Sequence, residues 1–205
     1  KNEIILEIKD LKTYFHTHEG ILKAVDGLSY NVRKGECIGI VGESACGKSV
    51  SAMSILRLIP YPPGIIEGGK IIFKDEDLLK VSEERMREIR GNKIAMVFQE
   101  PTTSLNPVLK VGRQISESLE LHHKIDKKLA VKKSIELLRL VKIPDAEKRI
   151  NDYPHQFSGG MQQRIMIAIA LSCEPEILIA DEPTTSLDVT VQAQLLELLA
   201  DLGKN

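Results

Sequence analysis

Cys37-Ile38-Gly39-Ile40-Val41-Gly42-Glu43-Ser44-Ala45-Cys46-Gly47-Lys48-Ser49 is the stretch on which the fold turns. Its first five residues are a short apolar run of the kind buried in the centre of a parallel sheet, and a helical pattern runs from Lys48 to Leu58 behind the glycines. Strand, glycine loop, helix is the order that matters. Gly42 to Ser49 fits G-x-x-x-x-G-K-[ST], a phosphate-binding loop. The glycines let the backbone wrap with its N–H groups facing phosphate oxygens, and the helix start adds the positive end of its dipole. Lys48 is then placed to reach the β- and γ-phosphates as a point charge, and the Ser49 hydroxyl to ligate Mg²⁺. A Gly-rich turn with an incidental lysine is the plainer reading, and the flanking strand and helix argue against it.

Upstream, Glu3 to Ile8 and Ala24 to Val32 are β-branched runs punctuated by Gly and Asp, which predicts antiparallel strands. Downstream, Pro60, Pro62, Pro63 and Gly64 end the helix and Gly68 to Phe73 begins a short strand. Lys93 to Phe98 reads as a second buried strand, and from Val111 to about Ile150 the chain is charged with helical periodicity, an inserted helical subdomain. A helix is expected from Ser158 to about Ser172, a third buried strand over Glu176 to Ala180, and a final helix from Val189. Strands alternating with helices imply an α/β fold with a mainly parallel core sheet.

The 205 residues carry 28 Lys and Arg against 29 Asp and Glu, 42% apolar residues and three Cys. That excludes a disordered or collagen-like chain, and a charge of -1 speaks against a nucleic-acid binder held by a basic face. The longest apolar stretch, Ile165 to Leu171, is far short of the ~20 residues that cross a bilayer, so a soluble domain is expected. Cys37, Cys46 and Cys173 lack paired spacing, which points to a reducing compartment.

Two further segments carry chemistry. Ile177-Leu178-Ile179-Ala180-Asp181-Glu182 is a core strand ending in two carboxylates: Asp181 could hold Mg²⁺, and Glu182 could accept a proton from an attacking water. Alone, such a strand is more often a solvated turn; beside a phosphate loop it gains meaning. In Phe157-Ser158-Gly159-Gly160-Met161, Ser158 is a candidate N-cap, and the two glycines leave the first helical N–H groups open to an anion. One nucleotide in one domain has no obvious use for this second phosphate-type site. An ordinary capped helix is the alternative.

This combination resembles an ATP-binding cassette ATPase with its P-loop NTPase core, over essentially the whole chain. The resemblance implies that Ser158, Gly159, Gly160 and Met161 are the signature motif, which completes the ATP site of an opposite subunit. It further implies that Gln99 is the Q-loop glutamine, a metal ligand with Ser49 and Asp181, and that Ser186-Leu187-Asp188 is the D-loop. ATP is expected to contact Gly42, Glu43, Ser44, Ala45, Cys46, Gly47, Lys48, Ser49 and Val50, with adenine stacked on Phe15; Tyr14 is its rival, and Phe15 could equally be core. The runs Phe98 to Pro107 and Tyr153 to Met161 are similar to the ATPase subunits of bacterial oligopeptide and dipeptide importers.

That resemblance implies an ATPase that powers peptide import from the cytoplasmic side of the membrane. Its partners would be a second, different cassette subunit, two permease subunits and an extracytoplasmic peptide-binding protein, with no nucleic acid. The domain divides as 1–36 antiparallel, 37–98 and 174–205 P-loop core, and 99–173 helical. Competing readings are a DNA-repair or chromosome-maintenance ATPase, for which too few residues separate Ser49 from Ser158, an importer of another small solute such as nickel, and an ATP-gated binding module.

Three departures from the pattern stand out. Ala45 replaces a usual Gly, at a cost of ~1 kcal/mol if that position needs positive φ. Gln162 replaces a frequent Arg and is expected to alter only surface charge. No His follows Glu182, so the switch histidine is missing; the chain is expected to be C-terminally truncated and to bind nucleotide better than it hydrolyses it. Cys46, beside a helix start, is expected to be reactive, against the plainer reading of a space-filling residue.

Overall fold

Leu6, Ile8 and Leu11 are buried on one long strand, and that strand is the spine of an antiparallel sheet. The computed structural model describes residues 3–100, 104–183, 192, 193 and 197. They fall into two compact units, one running to Arg87 and the other starting at Glu88. In the first, β1 (Ile4–Thr17) and β2 (Gly20–Arg33) form a hairpin closed by Thr17, whose hydroxyl donates to Gly20 O. β3 (Gly64–Phe73) pairs with the other edge of β1, and β4 (Glu76–Asp77) with β3, giving the order β2-β1-β3-β4. The register sets Phe73 opposite Leu6 and Ile71 opposite Ile8, so their apolar side chains share the buried face. Residues 64–77 therefore extend the antiparallel part beyond the first 36 residues expected from the sequence.

α1 (Lys48–Ile55) is seated on β1 by a buried hydrogen bond of 2.9 Å between the Thr13 and Ser54 hydroxyls, beside buried Ile55 and Leu56. The expected strand over Cys37 to Val41 does not form. These residues make no ladder among the described residues, and Val41 is 93% exposed. Apolar, β-branched character permits a strand but does not create one; pairing does, and Gly39 weakens the local preference.

α2 (Glu83–Ile89) carries the chain into the second unit, where β5 (Ile94–Val97) and β6 (Ile177–Ala180) pair in parallel, as expected for a core sheet. Between them lie α3 (Val111–His123), α4 (Lys127–Leu140), α5 (Ala146–Arg149) and α6 (Gly159–Leu171), around a core of Val111, Ile115, Leu138, Ile150, Ile165 and Ile167. Asp126 caps α4, accepting from the N–H groups of Lys128 and Leu129. Gly112 is required where α3 meets the end of α5: its N–H donates to Ile150 O at 2.9 Å, and a Cβ would lie 2.7 Å from that oxygen. Among the described residues no helix is long and apolar enough to cross a membrane. Of the helix expected from Val189, Gln192, Ala193 and Glu197 are described and are helical, and the rest lies outside the described residues.

Candidate functional site

The loop Gly42 to Ser49 is held by its own lysine. Lys48 Nζ donates to Gly42 O at 2.9 Å and Glu43 O at 2.8 Å, and lies 3.8 Å from Cys46 Sγ. The Cys46 N–H also donates to Glu43 O at 3.3 Å, so that carbonyl draws in both the ammonium and a backbone N–H of the loop. Gly47, the residue before α1, has φ +91, and a Cβ there would strike the Ala24 carbonyl. No acidic side chain sits in the first turn of α1 to oppose a phosphate. Ala45 has φ 63, so the position does require left-handed backbone and the added Cβ is strained. Gly42 to Cys46 are exposed, and Gly47, Lys48, Ser49 and Val50 half-buried.

Phe15 and Tyr14, the aromatic candidates, are neighbours on β1 and so point to opposite faces. Phe15 is half-buried, its Cε1 2.9 Å from where a Gly64 Cβ would stand. Tyr14 donates its hydroxyl to Asp26 Oδ1 at 2.6 Å, and Lys23 lies 5.2 Å from its ring centroid. That hydrogen bond draws the Asp26 carboxyl below its ordinary range and raises the Tyr14 phenol.

In the second unit the parallel register does the work of assembly. Val97 pairs with Ala180, so residues two steps beyond each leave the carboxyl ends of adjacent strands side by side. Those residues are Gln99 and Glu182, and Gln99 Nε2 donates to Glu182 Oε2 at 3.0 Å. The intervening Asp181 prolongs the ladder, its N–H donating to Val97 O at 3.0 Å. Glu182 has φ 43, a left-handed conformation that a glutamate seldom adopts and that recurs at functional sites. The structure thus joins two residues singled out separately in the sequence.

Ser158 caps α6, its hydroxyl accepting from Met161 N at 3.4 Å, and a Cβ on Gly159 would meet open space. The expectation for Gln162 is corrected here. It is buried, and Nε2 spends both hydrogens on Pro154 O at 2.9 Å and Phe157 O at 3.1 Å, fixing the segment that leads into the cap. The sequence alone missed a second clamp, Arg149, whose guanidinium lies over Phe157 and donates to Gln156 O at 2.9 Å. Ser186, Leu187 and Asp188 lie outside the described residues.

A glycine loop closed on a lysine, parallel strands ending in a glutamine–glutamate pair and a capped glycine turn define an α/β domain of the cassette type. The chain belongs to the ABC transporter family, which it matches over residues 25–185. It is 55% identical over 202 residues to a probable peptide ABC transporter ATP-binding protein of Sinorhizobium fredii, covering 98% of this chain and 60% of that protein. It is 54% identical over 200 residues to the oligopeptide transport ATP-binding protein OppD of Bacillus subtilis, covering 98% and 56%. The chain therefore spans less than two thirds of the length of these relatives. Among solved structures, the dimeric post-hydrolysis ATP-binding cassette MJ0796 bound to ADP and Pi superposes with a TM-score of 0.85 at 27% identity, over 97% of this chain and 83% of that one. CbiO1 of Clostridium perfringens, part of the transporter complex cbiONQ, does so with a TM-score of 0.76 at 27% identity, over 98% and 74%.

Proposed function

We propose that the protein is the ATP-hydrolysing subunit of a peptide importer, acting at the cytoplasmic face of the membrane. The chemistry rests on one observation, the 3.0 Å hydrogen bond from Gln99 to Glu182 beyond paired parallel strands. In this reading Lys48 and the loop N–H groups bind phosphate oxygens, and Glu182 takes the proton of an attacking water. With its nitrogen donated to Glu182, Gln99 keeps its carbonyl oxygen for a cation.

Among the described residues no cluster of three or more His, Cys, Asp or Glu could hold a metal by itself. Hard oxygen donors supplied singly, by Ser49, Gln99 and Asp181, suit Mg²⁺, which keeps waters and takes nucleotide phosphates into its shell. When bound, that ion neutralises charge on the phosphates. Phe15 is the adenine platform, Glu43, Ser44, Ala45, Cys46 and Val50 line the phosphates, and Ser158, Gly159, Gly160 and Met161 contact the nucleotide of a paired cassette. Closure on nucleotide and reopening after hydrolysis would move two permease subunits served by an extracytoplasmic peptide-binding protein. Peptides as cargo are supported by the relatives, which include oligopeptide and dipeptide transport proteins at 51–54% identity.

In the full-length protein, Lys48→Ala is expected to weaken ATP binding at least about a hundredfold and Glu182→Gln to spare binding while lowering kcat by about the same factor. Equilibrium nucleotide binding and single-turnover hydrolysis measure the two separately. Normal turnover by Glu182→Gln removes it as the base, and unchanged affinity in Lys48→Ala removes the loop assignment.

A further inference from the structure

We infer that Arg149 is the positioning residue of the Ser158-Gly159-Gly160 turn; the inference rests on reading that turn as a nucleotide-contacting element. Arg149 ends α5, and among the described residues its guanidinium contacts fall on the segment that leads into and opens α6. Nη2 donates to Gln156 O at 2.9 Å, Nε pairs with Asp152 Oδ2 at 3.3 Å, Nη1 reaches Met161 Sδ at 3.5 Å, and the charged plane lies 4.3 Å from the Phe157 ring centroid. Asp152, Gln156 and Phe157 precede the turn and Met161 follows it, so one rigid group holds both flanks.

Gln162 shares the preceding flank with Arg149 through Pro154 O and Phe157 O, and the turn itself has little else to fix it. Its two glycines are conformationally free, a Cβ on Gly159 would meet nothing within 4 Å, and the Ser158 cap is long at 3.4 Å. Where Ser158 and the open N–H groups point is therefore decided by the flanks. A planar fork can donate along several directions and stack at the same time; an ammonium on a flexible stem cannot. The Arg149 side chain is only 24% exposed, so these contacts are less screened than those of a surface ion pair. Met161 is a weak, polarisable acceptor, which keeps the far flank in reach without locking it.

The test is Arg149→Lys in the full-length protein, with Asp152→Asn as a milder companion that leaves the guanidinium in place. Three quantities are measured: ATP affinity of the subunit, ATP-dependent pairing and kcat in the assembled complex, and amide hydrogen exchange without nucleotide. Arg149→Lys should keep ATP affinity within about twofold, lower pairing and kcat about tenfold, and speed exchange over residues 153–161 while leaving α3 and α4 unchanged. Asp152→Asn should show the same pattern at roughly a third of the size on that scale. A general rise in exchange, or wild-type pairing, kcat and exchange in Arg149→Lys, overturns the inference. If the wild type itself binds no ATP, the functional reading fails instead, and exchange over 153–161 still decides whether Arg149 holds the turn.

Discussion

Ala45, at φ 63, holds a Cβ against the following carbonyl in a region where only glycine is unstrained. Ala45→Gly should therefore raise unfolding stability by about 0.5–1 kcal/mol, the relief of strain exceeding the extra unfolded-state entropy of glycine. Urea denaturation of the full-length protein measures it, and a loss of stability would show that the loop tolerates the Cβ. The next residue, Cys46, is exposed, as is Cys37, whereas Cys173 is buried and its thiol is pushed up in pKa by that burial. Thiolate is the reacting form, so near neutral pH a maleimide should modify Cys37 and Cys46 and spare Cys173. Cys173 should yield only at more alkaline pH or on unfolding. ATP should protect Cys46 and not Cys37. Equal labelling of Cys46 with and without nucleotide, read by mass spectrometry of the peptides, would contradict its place against the phosphates.

The helix α6 combines a well-satisfied residue with a poorly satisfied one. Gln162 uses both amide hydrogens, but Gln163, 0% exposed, finds no hydrogen-bond partner for either polar atom among the described residues. A buried amide in that state costs on the order of 1–3 kcal/mol, and an apolar isostere removes the debt. Gln163→Met should then stabilise the protein by about 1 kcal/mol, and a clear destabilisation in thermal or urea unfolding would reveal a partner for the amide. Elements of this kind divide by what makes them legible. α6 and its Ser158 cap, α1, β5 and β6 were readable because capping, glycine punctuation and apolar runs are local signals. α2 was missed because Glu83-Glu84-Arg85 is charged and only Met86 and Ile89 face the core. β3 was shortened because three prolines mask the strand character of Gly64-Ile65-Ile66. At the site, the residue types were legible, and the Gln99–Glu182 contact was not, since it exists only through the Val97 to Ala180 register. Arg149 gave only its i,i+3 spacing to Asp152: its other partners include a backbone carbonyl, a thioether and a ring face, which no spacing rule marks.

At the scale of the molecule, the Gly42 to Ser49 loop belongs to the first unit and the Ser158 turn to the second, and the proposed function gives each its own anion to hold. One nucleotide per chain does not require both. If each turn serves the nucleotide held by another cassette, damage to the two elements must fall on different chains. This can be tested in the assembled complex with each cassette chain tagged so that its bound nucleotide is read separately. Lys48→Ala should remove nucleotide from its own chain and leave the loop of the other chain occupied. Gly159→Asp should do the reverse. The new carboxylate at a helix start repels phosphate, so its own chain should keep ATP affinity within about twofold while turnover on the other chain falls at least about tenfold. Combining both changes in one chain should then disable both sites, whereas an arrangement within one chain would leave the partner's site untouched. Loss of nucleotide from the same chain in both single variants would refute pairing through Ser158.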